Sequence, residues 1–199
     1  ADRALFIGLE PFDGENYGCN QLLMAGHPIV RDDGEIWCYY NALRMPGSIE
    51  IFKEFGRAQE LFRLNAKPEH FKDSGALTLA KLRPDGFVSL DAGGDEGSVV
   101  TQPFKCPQGR LFVNVDARGG QVHVDVLNAN DADKEAVASA AAITEDVLRQ
   151  PVLWESGDIT SKRNHNIRLR FRLRDAKLYS YDDVDNNYLG FEFILEKII

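Results

Sequence analysis

Within the predicted strand 166–174, residues 167–174 alternate strictly between apolar side chains and arginines, and this pattern constrains the fold more than any other feature of the chain. The two alternating sets are Ile167, Leu169, Phe171 and Leu173, and Arg168, Arg170, Arg172 and Arg174. Successive side chains of a β-strand point to opposite faces, so a period of two is typical of a strand. One apolar and one charged face indicate an antiparallel strand with a core on one side and water on the other.

Further alternating segments follow one another through residues 75–199. Leu111, Val113 and Val115 alternate with polar or aromatic neighbours, and an Arg-Gly-Gly turn at 118–120 leads into a second alternating strand that starts near residue 122. Short strands spaced by about 8–12 residues, with turns between them, favour a sandwich or a barrel. The sequence therefore predicts an all-β fold, in which 75–199 form an antiparallel, jelly-roll-like β-sandwich that ends with a strand near 188–195.

The first 74 residues have a different character. Residues 34–43 predict a strand with two apolar faces, so we expect another layer to cover each face. Apolar residues at helical spacing, such as Ile51, Phe55 and Leu61, predict a partly helical connector over 48–74. The alanine-rich segment 131–143 favours a short helix or an irregular excursion, because alanine has a high helix propensity.

Charge and hydropathy exclude some classes of function. The 31 acidic and 23 basic residues give a net charge of −8, which argues against a nucleic-acid partner, since phosphates attract a surplus of Lys and Arg. No apolar run approaches the roughly 20 residues that span a bilayer, so no membrane partner is expected. The start shows no signal-peptide pattern. The three cysteines are interpreted as small buried residues.

Five segments carry a resemblance to a known family. These are Ile-Trp-Cys-Tyr-Tyr at 36–40, Leu-Arg-Pro-Asp-Gly-Phe-Val-Ser-Leu-Asp-Ala-Gly at 82–93, Thr-Gln-Pro-Phe at 101–104, Leu-Phe-Val-Asn-Val-Asp at 111–116 and the segment 168–181. Together they resemble the junction between propeller and sandwich in bacterial proteins related to five-bladed β-propeller glycoside hydrolases of the invertase-like and arabinanase-like type. The resemblance covers about residues 30–181.

This resemblance implies that residues 1–47 are the last strands of a propeller, whose earlier blades are the partner of the sandwich. In such families the catalytic carboxylates lie in those earlier blades, so no catalytic residue is assigned and enzymatic activity of this chain alone is not expected. The implied function is a non-catalytic accessory module that stabilises the propeller and binds carbohydrate, compatible with a secreted or periplasmic protein. The alternatives are a fragment of an active glycoside hydrolase, a self-standing carbohydrate-binding module and an interaction domain.

Five residues are candidates for carbohydrate binding. Trp154, Tyr179 and Tyr181 could supply aromatic platforms, because a sugar ring packs its apolar side on an aromatic face. Arg170 and Arg172 could bind a sulfated or uronic sugar bidentately. The favoured alternatives are core packing for Trp154 and ion pairs with an acidic neighbouring strand for the arginines.

Four acidic residues are candidates for a structural calcium site. Asp91, Asp95, Glu96 and Asp116 lie in or near the glycine-rich segment 91–97 or on a neighbouring strand, and calcium takes carboxylate and carbonyl oxygens from loops. The twelve-residue calcium-loop motif is missing from the sequence, so a solvated acidic loop is the favoured alternative.

Overall fold

The computed structural model describes residues 5–11, 15–44, 67, 69, 72–106, 110–130, 135–157 and 159–183. The described part is all-β, as predicted, with antiparallel sheets and one short 3-10 turn at Ile159–Lys162. The chain divides into two compact units, Ala1–Arg83 and Pro84–Ile199. The units are described separately below.

The first unit contains one antiparallel sheet. Its strands are β1 (Gln21–Met24), β2 (Ile29–Val30), β3 (Ile36–Leu43) and β4 (Gly75–Leu82). Strands β1 and β2 pair with successive halves of β3 along one side, and β4 pairs along the whole of its other side. The turn between β2 and β3 closes with a hydrogen bond from the Arg31 amide to the Glu35 carbonyl of 3.0 Å. Gly34, with φ of 82°, supplies the left-handed conformation that this turn requires.

Strand β3 is apolar on both faces, as the sequence predicts. Ile36, Cys38 and Ala42 are buried on one face. Trp37 and Tyr39 are half-buried on the other, with their rings in an edge contact at a centroid distance of 6.2 Å.

The boundary between the units differs from the predicted one. The segment Gly75–Leu82, which the sequence pattern assigns to the sandwich, pairs with β3 from Leu43↔Gly75 to Ile36↔Leu82. The boundary therefore lies after Arg83, because ladder hydrogen bonds to β3 decide where this apolar strand belongs. Most of the predicted helical connector over 48–74 lies outside the described residues, as does the strand predicted near 188–195.

The second unit contains two antiparallel sheets. Its strands are β5 (Leu90–Ala92), β6 (Gly97–Val100), β7 (Phe104–Lys105), β8 (Leu111–Asp116), β9 (Gln121–Asn128), β10 (Ala138–Ala140), β11 (Asp146–Pro151), β12 (Trp154–Ser156), β13 (Asn166–Arg174) and β14 (Ala176–Asp183). Six strands form one sheet in the order β12-β10-β9-β13-β6, with β7 also on β13. The order in the other sheet is β11-β8-β14-β5. This arrangement is consistent with the predicted β-sandwich.

The hydrophobic core of this unit is built from the inward residues of both sheets. The apolar members of the alternating strands are buried in one cluster: Leu111, Val113, Val115, Val122, Val124, Val126, Ile167, Leu169, Phe171 and Leu173. Burial of one such side chain contributes about 1.5–3 kcal/mol. The period of two in β8, β9 and β13 thus predicts the core residues correctly.

The alanine-rich segment is a correction to the sequence prediction. Ala138–Ala140 forms strand β10, which pairs with β9 and β12, whereas local propensity favours a helix over 131–143. Ala138 and Ala140 are 1% and 3% exposed, so pairing and burial override the high helix propensity of alanine, since tertiary context routinely outweighs local propensity. The cysteine prediction holds for Cys38 and Cys106, which are buried and not in disulfide bonds, while Cys19 is half-buried.

Candidate carbohydrate-binding surface

Strand β13 lies inside the six-stranded sheet and points its arginines away from the core. Along the register with β9, Arg168 faces Leu127, Arg170 faces Asp125 and Arg172 faces His123. We call Arg168, Arg170 and Arg172 the arginine row.

Asp125 anchors the arginine row. Its Oδ2 accepts hydrogen bonds from Arg170 Nε at 2.9 Å and Arg172 Nε at 3.0 Å, and Arg170 Nη2 lies 2.8 Å from the same oxygen. The Asp125 side chain is 2% exposed, against 26% and 33% for the two arginines. Burial alone would raise the pKa of Asp125, but hydrogen bonds from Arg172, Ser139 and Arg170 outweigh it and lower that pKa.

Arg170 and Arg172 thus form cross-strand ion pairs. The sequence favours this interpretation over sugar binding. A buried carboxylate that accepts several charged hydrogen bonds holds its donors in one geometry. Their role in carbohydrate binding stays a prediction.

Arg168 connects this row to a polar cleft at the end of the strands. Its Nε donates to the Ala129 carbonyl at 2.9 Å and its Nη1 to the Thr101 carbonyl at 3.1 Å. The hydroxyl of Thr101 in turn accepts a hydrogen bond from the Leu169 amide at 3.0 Å. The Thr-Gln-Pro-Phe segment therefore fixes the place where the arginine row begins.

The cleft is open and lined almost wholly by polar side chains, with a volume of about 670 Å³. Its lining residues, which we call the amide cleft, are Asn128, Ala129, Asn130, Ser161, Lys162, Asn164, His165 and Asn166. Asn164 has φ of 65°, a left-handed conformation that asparagine tolerates better than most residues. The turn after the 3-10 segment thus presents polar groups opposite the end of β9.

The aromatic candidates fall in three different environments. Tyr181 is 8% exposed and packs on Phe171 at a centroid distance of 5.2 Å, so its ring is not open to a sugar and its predicted platform role is corrected. Burial raises the pKa of Tyr181 to about 12. Trp154 is half-buried and packs against the core, in line with the favoured alternative. Tyr179 is half-buried on β14, and its role stays a prediction.

The acidic candidates do not assemble into a metal site within the described residues. Asp95 and Glu96 are exposed loop residues, while Asp91 lies 3.4 Å from Lys177 Nζ and Asp116 lies 2.6 Å from Arg118 Nη2. The described part of the chain contains no group of three His, Cys, Asp or Glu side chains that could hold a metal ion. The calcium site therefore stays a prediction, and two of its proposed ligands, Asp91 and Asp116, pair with cationic side chains.

Three of the segments behind the family resemblance meet at one place on the four-stranded sheet. The Asn114 amide donates to the Pro84 carbonyl at 2.7 Å, and the Ser180 hydroxyl donates to Asp85 Oδ2 at 2.6 Å. Asn114 and Ser180 are opposite each other in the β8–β14 ladder. The motif residues thus hold a turn against the sheet, which accounts for their polarity structurally.

Sequence reasoning missed Asp125 and the amide cleft. Asp125 is the one acidic residue of β9 and lies between the inward valines. An outward acidic residue in such a strand is the signal that it can pair with a strand that carries arginines. The cleft could not be foreseen, because it needs the ends of β9 and β13 to be adjacent.

Comparisons with protein-family models, curated proteins and solved structures found no match to this chain. Among the residues described, no helix has the length and apolar character that crossing a bilayer requires.

Proposed function

We propose that this chain is the non-catalytic C-terminal part of a carbohydrate-active, glycoside hydrolase-like protein, and that its sandwich binds carbohydrate in the amide cleft. In this proposal the first unit is a β-propeller remnant followed by a partly helical insertion, and the second is a jelly-roll-like accessory domain. The observation that supports it most directly is the cleft of about 670 Å³ with four asparagines in its wall.

Asparagine suits a sugar because its amide offers both donors and acceptors, which match hydroxyl groups that also do both. The four asparagines, Ser161 and His165 are exposed, so a ligand can reach them without a change in the fold. Ordered water can bridge the longer contacts at little loss of affinity. Such a site favours weak, polar binding of a saccharide over catalysis.

Titration calorimetry with a panel of neutral oligosaccharides tests the proposal. Asn164→Gly removes an amide while keeping the left-handed backbone that Asn164 adopts, and Asn130→Ala removes a second exposed amide. We expect each to weaken binding about fivefold to tenfold, as loss of one hydrogen bond does. Asn41→Ala, an exposed amide on β3 of the other unit, is the matched control and should bind as the native chain does.

Two results would count against the amide cleft. One is native protein that binds no oligosaccharide of the panel. The other is equal binding by the native chain and both cleft variants, which would move the site elsewhere and return attention to Tyr179.

A second candidate function, docking on a neighbouring protein layer, is favoured by the first unit. Leu23, Ile29 and Leu77 are 45%, 52% and 66% exposed, and the register puts all three on the face of Trp37 and Tyr39. Large exposed apolar groups on one sheet face are typical of an interface. A preceding propeller blade would cover this face in the proposed parent protein.

Binding of a hydrophobic dye checks whether this face is open. The double change Leu23→Glu and Leu77→Glu should reduce dye fluorescence, while Leu148→Glu, at a residue 53% exposed in the second unit, should reduce it less. Equal effects would argue against a docking face on the first unit.

A further inference from the structure

The arginine row has more positive charge than its described partners neutralise. Arg170 and Arg172 share the single carboxylate of Asp125, and the partners of Arg168 are the uncharged carbonyls of Ala129 and Thr101. Three guanidinium groups against one carboxylate leave two positive charges uncompensated by these contacts. This surplus stands out in a chain whose net charge is −8.

The two inner arginines are also held in place before any ligand arrives. Asp125 engages their Nε and Nη2 groups, so the Nη1 group of each guanidinium lies outside these contacts with Asp125. A side chain already fixed by a buried partner loses less conformational freedom on binding. The planar guanidinium group recognises carboxylate and sulfate oxygens with directional hydrogen bonds.

We propose that Arg170 and Arg172, fixed by Asp125, form a subsite for the carboxylate or sulfate group of an acidic glycan that extends from the amide cleft. Arg168 links the two regions, because its Nε bonds to the carbonyl of Ala129 in the cleft wall. This subsite rests on the proposed carbohydrate function and specifies its ligand as an anionic sugar polymer.

Titration calorimetry on the full chain at fixed low salt tests the subsite with three probes. They are an oligogalacturonate, a sulfated oligosaccharide and a neutral oligosaccharide of similar length. The native protein should bind at least one acidic probe about tenfold more tightly than the neutral one. Arg172→Gln should remove most of that difference and leave neutral binding unchanged, since a charged hydrogen bond contributes about a factor of ten or more.

Arg174→Gln is the charge-matched control. Arg174 is exposed at the end of β13 and lies opposite Gln121, so it should change acidic binding less than twofold if position matters more than charge. Equal losses for Arg172→Gln and Arg174→Gln would overturn the subsite in favour of diffuse attraction. Thermal melting of each variant checks that the fold is kept.

Asp125→Asn tests whether the orientation of the arginines matters more than the net charge around them. It removes one negative charge beside the arginines but releases the two guanidinium groups from their acceptor, so the subsite predicts weaker acidic binding, whereas diffuse attraction predicts tighter binding. If the native protein bound the neutral probe and showed no preference for either acidic probe, the subsite would be overturned. The proposal for the amide cleft would stand. A third result would separate the two sites. If Arg172→Gln abolished binding of an acidic probe and the cleft variants left it unchanged, the subsite would be supported and the amide cleft rejected.

Discussion

The outer faces of the two sheets in the second unit both carry charged side chains, but they arrange the charges differently. On the four-stranded sheet, Lys177 lies opposite Asp91 and Asp116 in the two ladders, and Arg118 reaches both Asp116 and Asp146. On the six-stranded sheet, Arg170 and Arg172 of the arginine row share the buried carboxylate of Asp125. Among the residues that the structure describes, one face is balanced and exposed, and the other has surplus positive charge around a buried anchor.

This difference shows that a charge pattern along one strand does not determine function by itself. Alternating signs on neighbouring strands neutralise each other and contribute little, because exposed ion pairs are screened by water. A like-charged strand next to a single acid leaves groups available for a ligand. The neighbours that the register supplies therefore separate a structural charge pattern from a candidate binding surface.

The largest expected effect comes from removing the anchor of the arginine row. Asp125→Ala should lower the free energy of unfolding by about 2–3 kcal/mol, because it leaves two half-buried guanidinium groups without their acceptor. Asp91→Ala on the other face should change it by less than about 0.5 kcal/mol, since the Asp91 side chain is 54% exposed. Urea unfolding of both variants at neutral pH measures the two values.

Acid titration sharpens the same comparison. The folded-state pKa of Asp125 is lowered, so its contribution is present above the unfolded value of about 3.9 and is lost as pH falls through the folded value. The difference in free energy of unfolding between the native chain and Asp125→Asn should therefore shrink below about pH 4. Equal stability of these two proteins at neutral pH would contradict the anchoring role of Asp125.

The sequence predicts the alternating strands better than it predicts their partners. Ile167 and Phe171 are buried as their period of two requires, because alternation is a local property of the strand. The strand at Ala138–Ala140 and the assignment of Gly75–Leu82 to the first sheet depend on pairing with distant strands, which the local pattern does not show. Tyr181 follows the same rule, since its place in the core depends on the register of β14.

The next prediction concerns the core behind both charged faces. Tyr181 of the four-stranded sheet packs on Phe171 of the six-stranded sheet, and its pKa is raised from 10.0 to about 12 by burial. The contribution of the Tyr181 phenol to stability is therefore complete below its pKa in the unfolded chain. It is lost as pH rises through its pKa in the folded chain. A rise of this size corresponds to about 2–3 kcal/mol.

Alkaline unfolding compares the native chain with Tyr181→Phe. The two should have similar stability at neutral pH, and the native chain should lose about 2 kcal/mol relative to the variant as pH rises above its unfolded tyrosine value. Tyr179→Phe, at the half-buried neighbour on β14, is the matched control. Parallel stability curves for the native chain and Tyr181→Phe would show that the Tyr181 ring is open to water.

The smallest expected effect concerns the balanced face. Lys177 is 50% exposed and lies 3.4 Å from Asp91, so Lys177→Gln should lower the free energy of unfolding by less than about 0.5 kcal/mol. High salt should remove most of this difference, because screening acts on exposed pairs. Salt should leave most of the Asp125→Ala effect in place, since the Asp125 side chain is only 2% exposed. If both effects vanished together at high salt, the two faces would be equivalent in energy, and the buried anchor would no longer distinguish the arginine row from an ordinary charged surface.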